Sequence, residues 1–292
     1  MMKTFTLTLL GICTATTVAA TEINESMDAA ADGTVSISNV AGSVDVQGWS
    51  RNQVEITGEL GDDVEELIFE RDGDEIEIKV KSKRRNSHDI DSDLMVKVPR
   101  GSSLEVHTVS ADIDVAELTG EQSIESVSGD ISTEAHASDI DVNSVSGDLE
   151  IEGDNQSMRS RLSSVSGDID TENLSGEIGA ESVSGDLLVV NGVFDRASLG
   201  TVNGDIVFHA RLLDDGRLDV ETVNGDVNIE FAGDVSARFD IETFNGDIWS
   251  CFGPEAVRVS EYAPGYELKF TEGSGSGRVT IETLNGDLRL CK

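Results

Sequence analysis

Eight aspartates stand at nearly even steps along this chain: Asp130, Asp148, Asp168, Asp186, Asp205, Asp226, Asp247 and Asp287. Each follows a glycine, in a unit that reads Ser/Thr, apolar, Ser/Asn, Gly, Asp, apolar. A degenerate copy ends at Asp112, with Ala111 in the glycine place, and the steps from Asp112 onward are 18, 18, 20, 18, 19, 21, 21 and 40 residues. A column of carboxylates can bind cations, transfer protons or cap turns. Rungs about 4.8 Å apart suit calcium poorly unless neighbouring loops add ligands. Calcium-binding β-rolls also need a Gly- and Asp-rich nonapeptide, and here Gly-Asp occurs once in about 20 residues. Turn capping by Asp and its Ser or Asn partner is the favoured reading. Asp89, Asp91 and Asp93 alternate like a calcium loop but lack its glycine and distal glutamate. They are weak calcium candidates, and no other cofactor is expected.

Other chemistry finds little support. His88, His107, His136 and His209 show no metal-ligand spacing, and no Gly-x-Ser-x-Gly elbow occurs. Arg159 and Arg161 near Asp168 are the nearest imitation of a β-helix polysaccharide lyase or hydrolase. Sugar clefts want aromatic platforms, and apart from Phe only Trp49, Trp249, Tyr262 and Tyr266 are present. No catalytic residue is assigned, and a polysaccharide-active enzyme is the alternative reading. Cys251 and Cys291 each lie four residues after a signature Asp. On adjacent rungs their Cα atoms fall within disulfide range. If the 40-residue gap hides an extra lap, they cannot bridge. The preferred reading is a hairpin, Tyr266 to Phe270 turning through residues 272–277 into Arg278 to Glu282, that covers the open end and is clamped by the disulfide.

A period near 20 residues means that each unit is one lap of a stack. The class expected is all-β, a right-handed parallel β-solenoid. Counting from the signature Asp, apolar residues recur at positions −8 and −6 (Leu218 and Val220), −3 (Val127, Val145, Val165, Val183, Val202, Val223, Phe244, Leu284), and +1 and +3 (Val227 and Ile229). All are expected inward, so the odd step from −6 to −3 demands a corner or bulge between them. Outward columns hold Arg at −9 (Arg159, Arg196, Arg217, Arg238, Arg278) and Glu at −5 (Glu125, Glu181, Glu221, Glu242, Glu282). Position −2 changes from Ser128, Ser146, Ser166 and Ser184 to Asn203, Asn224, Asn245 and Asn285, which predicts stacked amides. With the Ser and Thr of position −4 it is expected to form an outer hydroxyl and amide strip. Upstream, Thr34 to Trp49 reads as an imperfect first lap, and Asp72-Gly73 marks a hairpin. The division expected is a signal peptide over 1–20, a flexible leader over 21–33, and one domain over 34–292, irregular to residue 100 and regular from 101.

The 292 residues carry a formal net charge of −36, with 4% aromatic residues and 29 glycines. That charge excludes a nucleic-acid reader and disfavours anionic lipid. Lys3, the apolar stretch Phe5 to Val18 and Val18-Ala19-Ala20 read as an export signal, and no later apolar run could anchor the chain in a membrane. The expected location is the periplasm or the outside of a bacterial cell. Val98-Pro99, then Leu104-Glu105-Val106, then the train of Val-Ser-Gly-Asp-Ile units resembles a family of exported bacterial β-strand-repeat proteins described as putative adhesins of unknown function. The tail, with Phe252-Gly253, Pro264-Gly265 and Leu284-Asn285-Gly286-Asp287, is similar as well. The resemblance implies a right-handed β-solenoid without established enzyme activity and supplies no binding residues. The function expected is a non-enzymatic envelope scaffold or adhesin-like surface, with an envelope protein or glycan as partner.

Overall fold

The computed structural model describes residues 21–83, 90–260 and 264–292. The export signal over 1–20, Asp89, His88 and Tyr262 lie outside the described residues. All regular structure described is β, and no described helix is long and apolar enough to cross a membrane. The N-terminal part contains β1 (Thr21–Asp28), β2 (Thr34–Trp49), β3 (Gln53–Leu60), β4 (Val64–Asp72), β5 (Glu75–Ser82) and β6 (Asp91–Pro99). The repeats supply β7 (Ser103–Ala116), β8 (Gln122–Ser128), β9 (Ile131–Ala135), β10 (Ile140–Ser146), β11 (Leu149–Gly153), β12 (Ser157–Ser166) and β13 (Ile169–Glu172). They continue with β14 (Ser175–Ser184), β15 (Leu187–Asn203), β16 (Ile206–Asn224), β17 (Val227–Phe231), β18 (Ala237–Asn245) and β19 (Ile248–Ser250). The tail adds β20 (Val257–Arg258), β21 (Tyr266–Thr271), β22 (Gly277–Asn285) and β23 (Leu288–Cys291).

Each repeat lays one segment before the Gly-Asp corner, which stacks into a long wall, and a shorter one after it, which stacks into a short wall. Both pair in parallel with their counterparts in the neighbouring rungs: Ser126↔Ser144↔Ser164 before the corner, Ile131↔Leu149↔Ile169 after it. The signature explains why. The backbone N–H of each Asp donates to Oδ1 of the Asp one rung away, as in Asp148 to Asp130 (3.0 Å), Asp186 to Asp168 (2.7 Å) and Asp226 to Asp205 (2.8 Å). The column is thus a continuous ladder of charge-assisted bonds, with one carboxylate oxygen of each Asp holding the next corner. We expect Asp205→Ala to cost about 1–2 kcal/mol by orphaning the Asp226 N–H, and Asp205→Asn, which keeps an acceptor, to cost less than half of that. Urea titration of both variants checks this; equal losses would remove the acceptor role.

The second corner uses residues in the left-handed region: Glu117, Asn155, Asn173 and Asn191 have φ between 59° and 62°. Asn tolerates that region better than most residues. The Asn amides of position −2 do stack: Asn224 donates to Asn203 (3.0 Å), Asn285 to Asn224 (2.9 Å) and Asn245 to Asn285 (2.8 Å).

Three expectations need correction. First, residues 21–33 are not a flexible leader throughout, because β1 pairs antiparallel with β3 from Thr21↔Leu60 to Asp28↔Gln53. Second, the segment before residue 100 is less irregular than expected. β2 runs in register with β7 from Thr34↔Ser103 to Gln47↔Ala116, and its other edge pairs in parallel with β5 and β6. β3 and β4 then close that end by antiparallel pairing with β6 and β5. Third, β21 and β22 do not form a hairpin. They lie on opposite edges of β18, with Arg238 opposite Thr271 on one side and Arg278 on the other. The last lap, β22 and β23, is inserted between the laps of Asp226 and Asp247. β21 covers the end, where its Phe270 stacks on Phe239 with ring centroids 4.4 Å apart.

The core is a column of inward aliphatic side chains such as Val106, Ile124, Val142 and Val220. Towards the C-terminal end Phe194, Phe208, Phe231 and Phe239 pack ring to ring, with centroids about 6 Å apart.

Candidate binding face

Strand parity does not break where the sequence reading put the break. Positions −8, −6 and −4 all point inward, and the face changes only at the Ser/Asn-Gly-Asp corner. The small hydroxyls of position −4 are therefore buried, with Ser126, Ser144, Ser182 and Thr201 each about 5% exposed. The threonines are held there by polar contacts, since Thr201 Oγ1 donates to the Gly185 carbonyl (3.1 Å) and Thr243 Oγ1 to that of Gly286 (3.1 Å), whereas the buried Ser144 and Ser164 hydroxyls have no hydrogen-bond partner among the described residues. Burying a hydroxyl is tolerable when it makes such a bond. The proposed outer hydroxyl strip is thus half wrong, since only the Ser and Asn of position −2 face outward.

The consequence falls on position −3. Its apolar residues were expected in the core, and parity turns them to solvent. Val109, Val127, Val145, Val165, Val183, Val202, Val223, Leu284 and Phe244 are 38–50% exposed and follow one another in stack order. At about 4.8 Å per rung the line runs for about 38 Å. Scattered surface valines need no explanation, but a contiguous apolar line does. The signal is present in the sequence as an apolar residue at odd distance from −6 and −8 but even distance from the Glu and Arg columns.

Beside the line runs the Glu column of position −5. Between the two lies an open groove of about 660 Å³, flanked by Glu181, Glu221 and Glu282 on one side and Val183, Val202, Val223 and Leu284 on the other. Position −4 hydroxyls lie between these two columns, and Gly200 interrupts the Glu column. Among the described residues Glu181, Glu221 and Glu282 have no ion-pair partner, whereas Glu242 on the last rung receives Lys269 Nζ at 2.7 Å. Lys269 also meets Asp240 and Glu267, each at 3.3 Å, and these hydrogen bonds hold its ammonium above the usual lysine range.

Arg159, Arg161, Arg196, Asp141, Glu177 and Glu181 line a smaller groove of about 400 Å³ on the same wall. Arg159 pairs with Asp139 (3.7 Å) and Glu177 (3.5 Å), and Glu177 also takes Arg196 (3.5 Å). Asp168 is not among the lining residues, so Arg159 and Arg161 are not gathered around that carboxylate. Asp91 and Asp93 stand on the outward side of β6, where Asp93 accepts from Ser43 Oγ (3.0 Å). No described group of three His, Cys, Asp or Glu side chains could hold a metal ion. Cys251 and Cys291 form a disulfide with Cα atoms 4.9 Å apart, made adjacent by the inserted lap.

On the short wall an acidic groove of about 440 Å³ gathers Asp45, Asp114, Glu150 and Asp170 beside the Asp ladder. Burial, then Asp168 and Glu150, raises the Asp170 carboxyl above its ordinary range; burial, then Asp114 and Asp93, does the same to Asp45. A raised folded pKa means that the protonated form favours the fold. The stabilising contribution is complete below the unfolded value, about 4, and is lost as pH rises through the folded one. Asp170→Asn is therefore expected to raise Tm at pH 7, with a gain that shrinks towards pH 3.5. A gain independent of pH in a calorimetric series contradicts this.

The Toastrack DUF4097 family matches over residues 34–290. The chain belongs to this family. Three solved structures with low similarity span nearly the whole chain. A putative adhesin from Parabacteroides distasonis is 12% identical, covers 92% of this chain and 97% of its own, and has a TM-score of 0.49. A putative adhesin from Parabacteroides merdae is 10% identical, with 93% and 96% covered and a TM-score of 0.47. A putative lipid binding protein, also from Parabacteroides distasonis, is 11% identical, with 91% and 96% covered and a TM-score of 0.46. No curated protein matches the chain. Membership in the Toastrack family accords with an all-β, mostly parallel stack and brings no assigned activity with it.

Proposed function

We propose that this Toastrack protein is a non-enzymatic binding scaffold of the bacterial envelope, a right-handed solenoid of about 20 residues per lap that works through the outer face of its long wall. The observation that carries the reading is the unbroken line of exposed apolar residues from Val109 to Phe244. An apolar line this regular has no role in the core that the inward columns already fill, and its exposure costs solubility. A partner that covers it is the economical explanation. Export to the periplasm or the cell surface is supported by the leader pattern of residues 1–20 and by the Cys251–Cys291 bridge, since disulfides persist in oxidising compartments. Divalent cations enter this reading only as screening ions for the acid columns, so calcium and magnesium should raise Tm equally.

The experiment immobilises the wild-type protein and a V183S/V202S/V223S variant and measures retention of purified envelope fractions, protein and glycan separately. The reading expects retention by the wild type and loss by the variant, with both proteins folded by circular dichroism. Incubation with a panel of neutral and acidic polysaccharides should release no products; appearance of unsaturated or reducing ends would establish the enzyme reading instead.

A further inference from the structure

We infer that the partner of the long wall is a cationic amphipathic α-helix, seated along the line of Val183, Val202, Val223 and Leu284. This rests on the binding-face reading and names its ligand. Two observations on the wall point to positive charge beside apolar surface. The carboxylates of Glu181, Glu221 and Glu282 stack on neighbouring rungs or across one Gly200 gap and form no ion pair among the described residues. Like charges so placed repel, and a cation brought between them is stabilised. The chain itself supplies such a cation where the wall ends: Lys269 of the covering strand β21 bridges Asp240, Glu242 and Glu267. On the rungs below, the same column is left without this cover.

The geometry selects a helix. The apolar line runs across the strands, so a partner lying on it meets side chains and not a free sheet edge. Such a partner must satisfy its own backbone, which a helix does. One helical turn rises about 5.4 Å and one rung about 4.8 Å, so a helix of about 15 residues slips by only about half a rung across four. An extended segment repeats its side chains on one face every 6.8 Å or so and falls out of step within two rungs. Apolar residues of the helix then meet Val183, Val202, Val223 and Leu284. Its lysines and arginines reach the Glu column on one flank and the outer oxygens of the Asp ladder on the other. The charge also excludes competitors. Acidic glycans, anionic lipids and a second copy of a chain carrying −36 would all set negative charge against these columns.

The test uses an 18-residue Leu/Lys amphipathic peptide. Its controls are a scrambled peptide of equal composition without an apolar face, an oligolysine of equal charge, and the Leu/Glu counterpart. Binding is read by fluorescence anisotropy at 50 and 300 mM NaCl, and helix gain by circular dichroism. The amphipathic peptide should bind at micromolar Kd, gain helix on binding and weaken with salt. V183S/V202S/V223S should weaken it at least tenfold, and E181Q/E221Q/E282Q should weaken it similarly and flatten the salt dependence. All six positions are on the outside, so the folded state is expected to survive, and Tm is measured for each variant. Equal affinity for oligolysine or the scrambled peptide, or an affinity unmoved by the valine substitutions, overturns the inference. If no peptide binds while the immobilised wild type still retains envelope material through its valines, the helix is wrong and the binding face stands.

Discussion

Gly225→Ala should cost about 4 kcal/mol or more and lower Tm by about 10 °C, whereas Gly179→Ala should be neutral or slightly stabilising. The two glycines lie in adjacent parts of the same stack and differ in what a methyl group would meet. A Cβ on Gly225 would lie 1.8 Å from the carbonyl oxygen of Gly204, and the next rung repeats the contact, since a Cβ on Gly286 would lie 1.9 Å from that of Gly225. The obstacle is backbone, so no rotamer relieves it. Making room requires the rungs to part, and the corner is where they are tied most closely. There Gly204 N donates to Asn224 O (3.0 Å), Gly225 N to Asn285 O (3.0 Å), and Asp226 N to Asp205 Oδ1 (2.8 Å). Each net bond is worth about 1 kcal/mol, and several would stretch together. A Cβ on Gly179 has nothing within 4 Å, and this residue is not in the left-handed region. Alanine there only reduces the freedom of the unfolded chain. Paired urea titrations decide the matter. If both substitutions move the midpoint by the same small amount, the signature glycine is a turn residue of the ordinary kind and the close rung contact is not what it secures.

That contrast also marks what the sequence made legible. The step between signature aspartates predicts the stack because every rung must offer the same corner to its neighbours, and the Asp and Asn ladders follow from that register. A glycine before Asp suits a tight turn on general grounds; its tighter constraint here is the neighbouring rung's carbonyl, which one sequence cannot display. Hydrophobicity alone sends the apolar residue of position −3 inward. Strand geometry decides the other way: −8, −6 and −4 share a face, so −3 shares one with Glu at −5 and Arg at −9. A threonine at −4 looks like a surface residue until its hydroxyl, as in Thr201 and Thr243, is seen to bond a corner carbonyl. The exposed apolar line is therefore present in the sequence as an exception to hydrophobic burial, which a reading by hydrophobicity alone does not reveal. The order of the final rungs was not legible at all. Nothing in the spacing of Asp226, Asp247 and Asp287 says that the last of them stacks between the other two, because the three units offer the same columns of Arg, Glu, Thr and Asn.

The inserted lap gives the disulfide its effect. Cys251 ends the outermost lap and Cys291 ends the lap beneath it, so the bridge fastens the end of the stack across a 40-residue excursion. Removing a cross-link over such a loop costs roughly 4 kcal/mol at 25 °C by loop-closure entropy. In a stack where each rung touches only its neighbours, that loss is local. Reduction, or C251S/C291S, is thus expected to lower hydrogen-exchange protection in β18, β19 and β21 by roughly two to three orders of magnitude. The segments from β8 to β14 should keep theirs. The inserted lap should respond between these limits, because β22 retains β16 on its inner edge while β18 leaves its outer edge. The ring cluster of Phe239, Phe252 and Phe270 opposes the loss, which limits it to partial opening at low temperature. Peptide mapping without reductant should find Cys251 and Cys291 unlabelled. Exchange mass spectrometry with and without reductant then separates two outcomes. Loss confined to the last rungs fits neighbour-by-neighbour stability, and an equal loss from β8 to β23 would mean that the stack unfolds as one cooperative body.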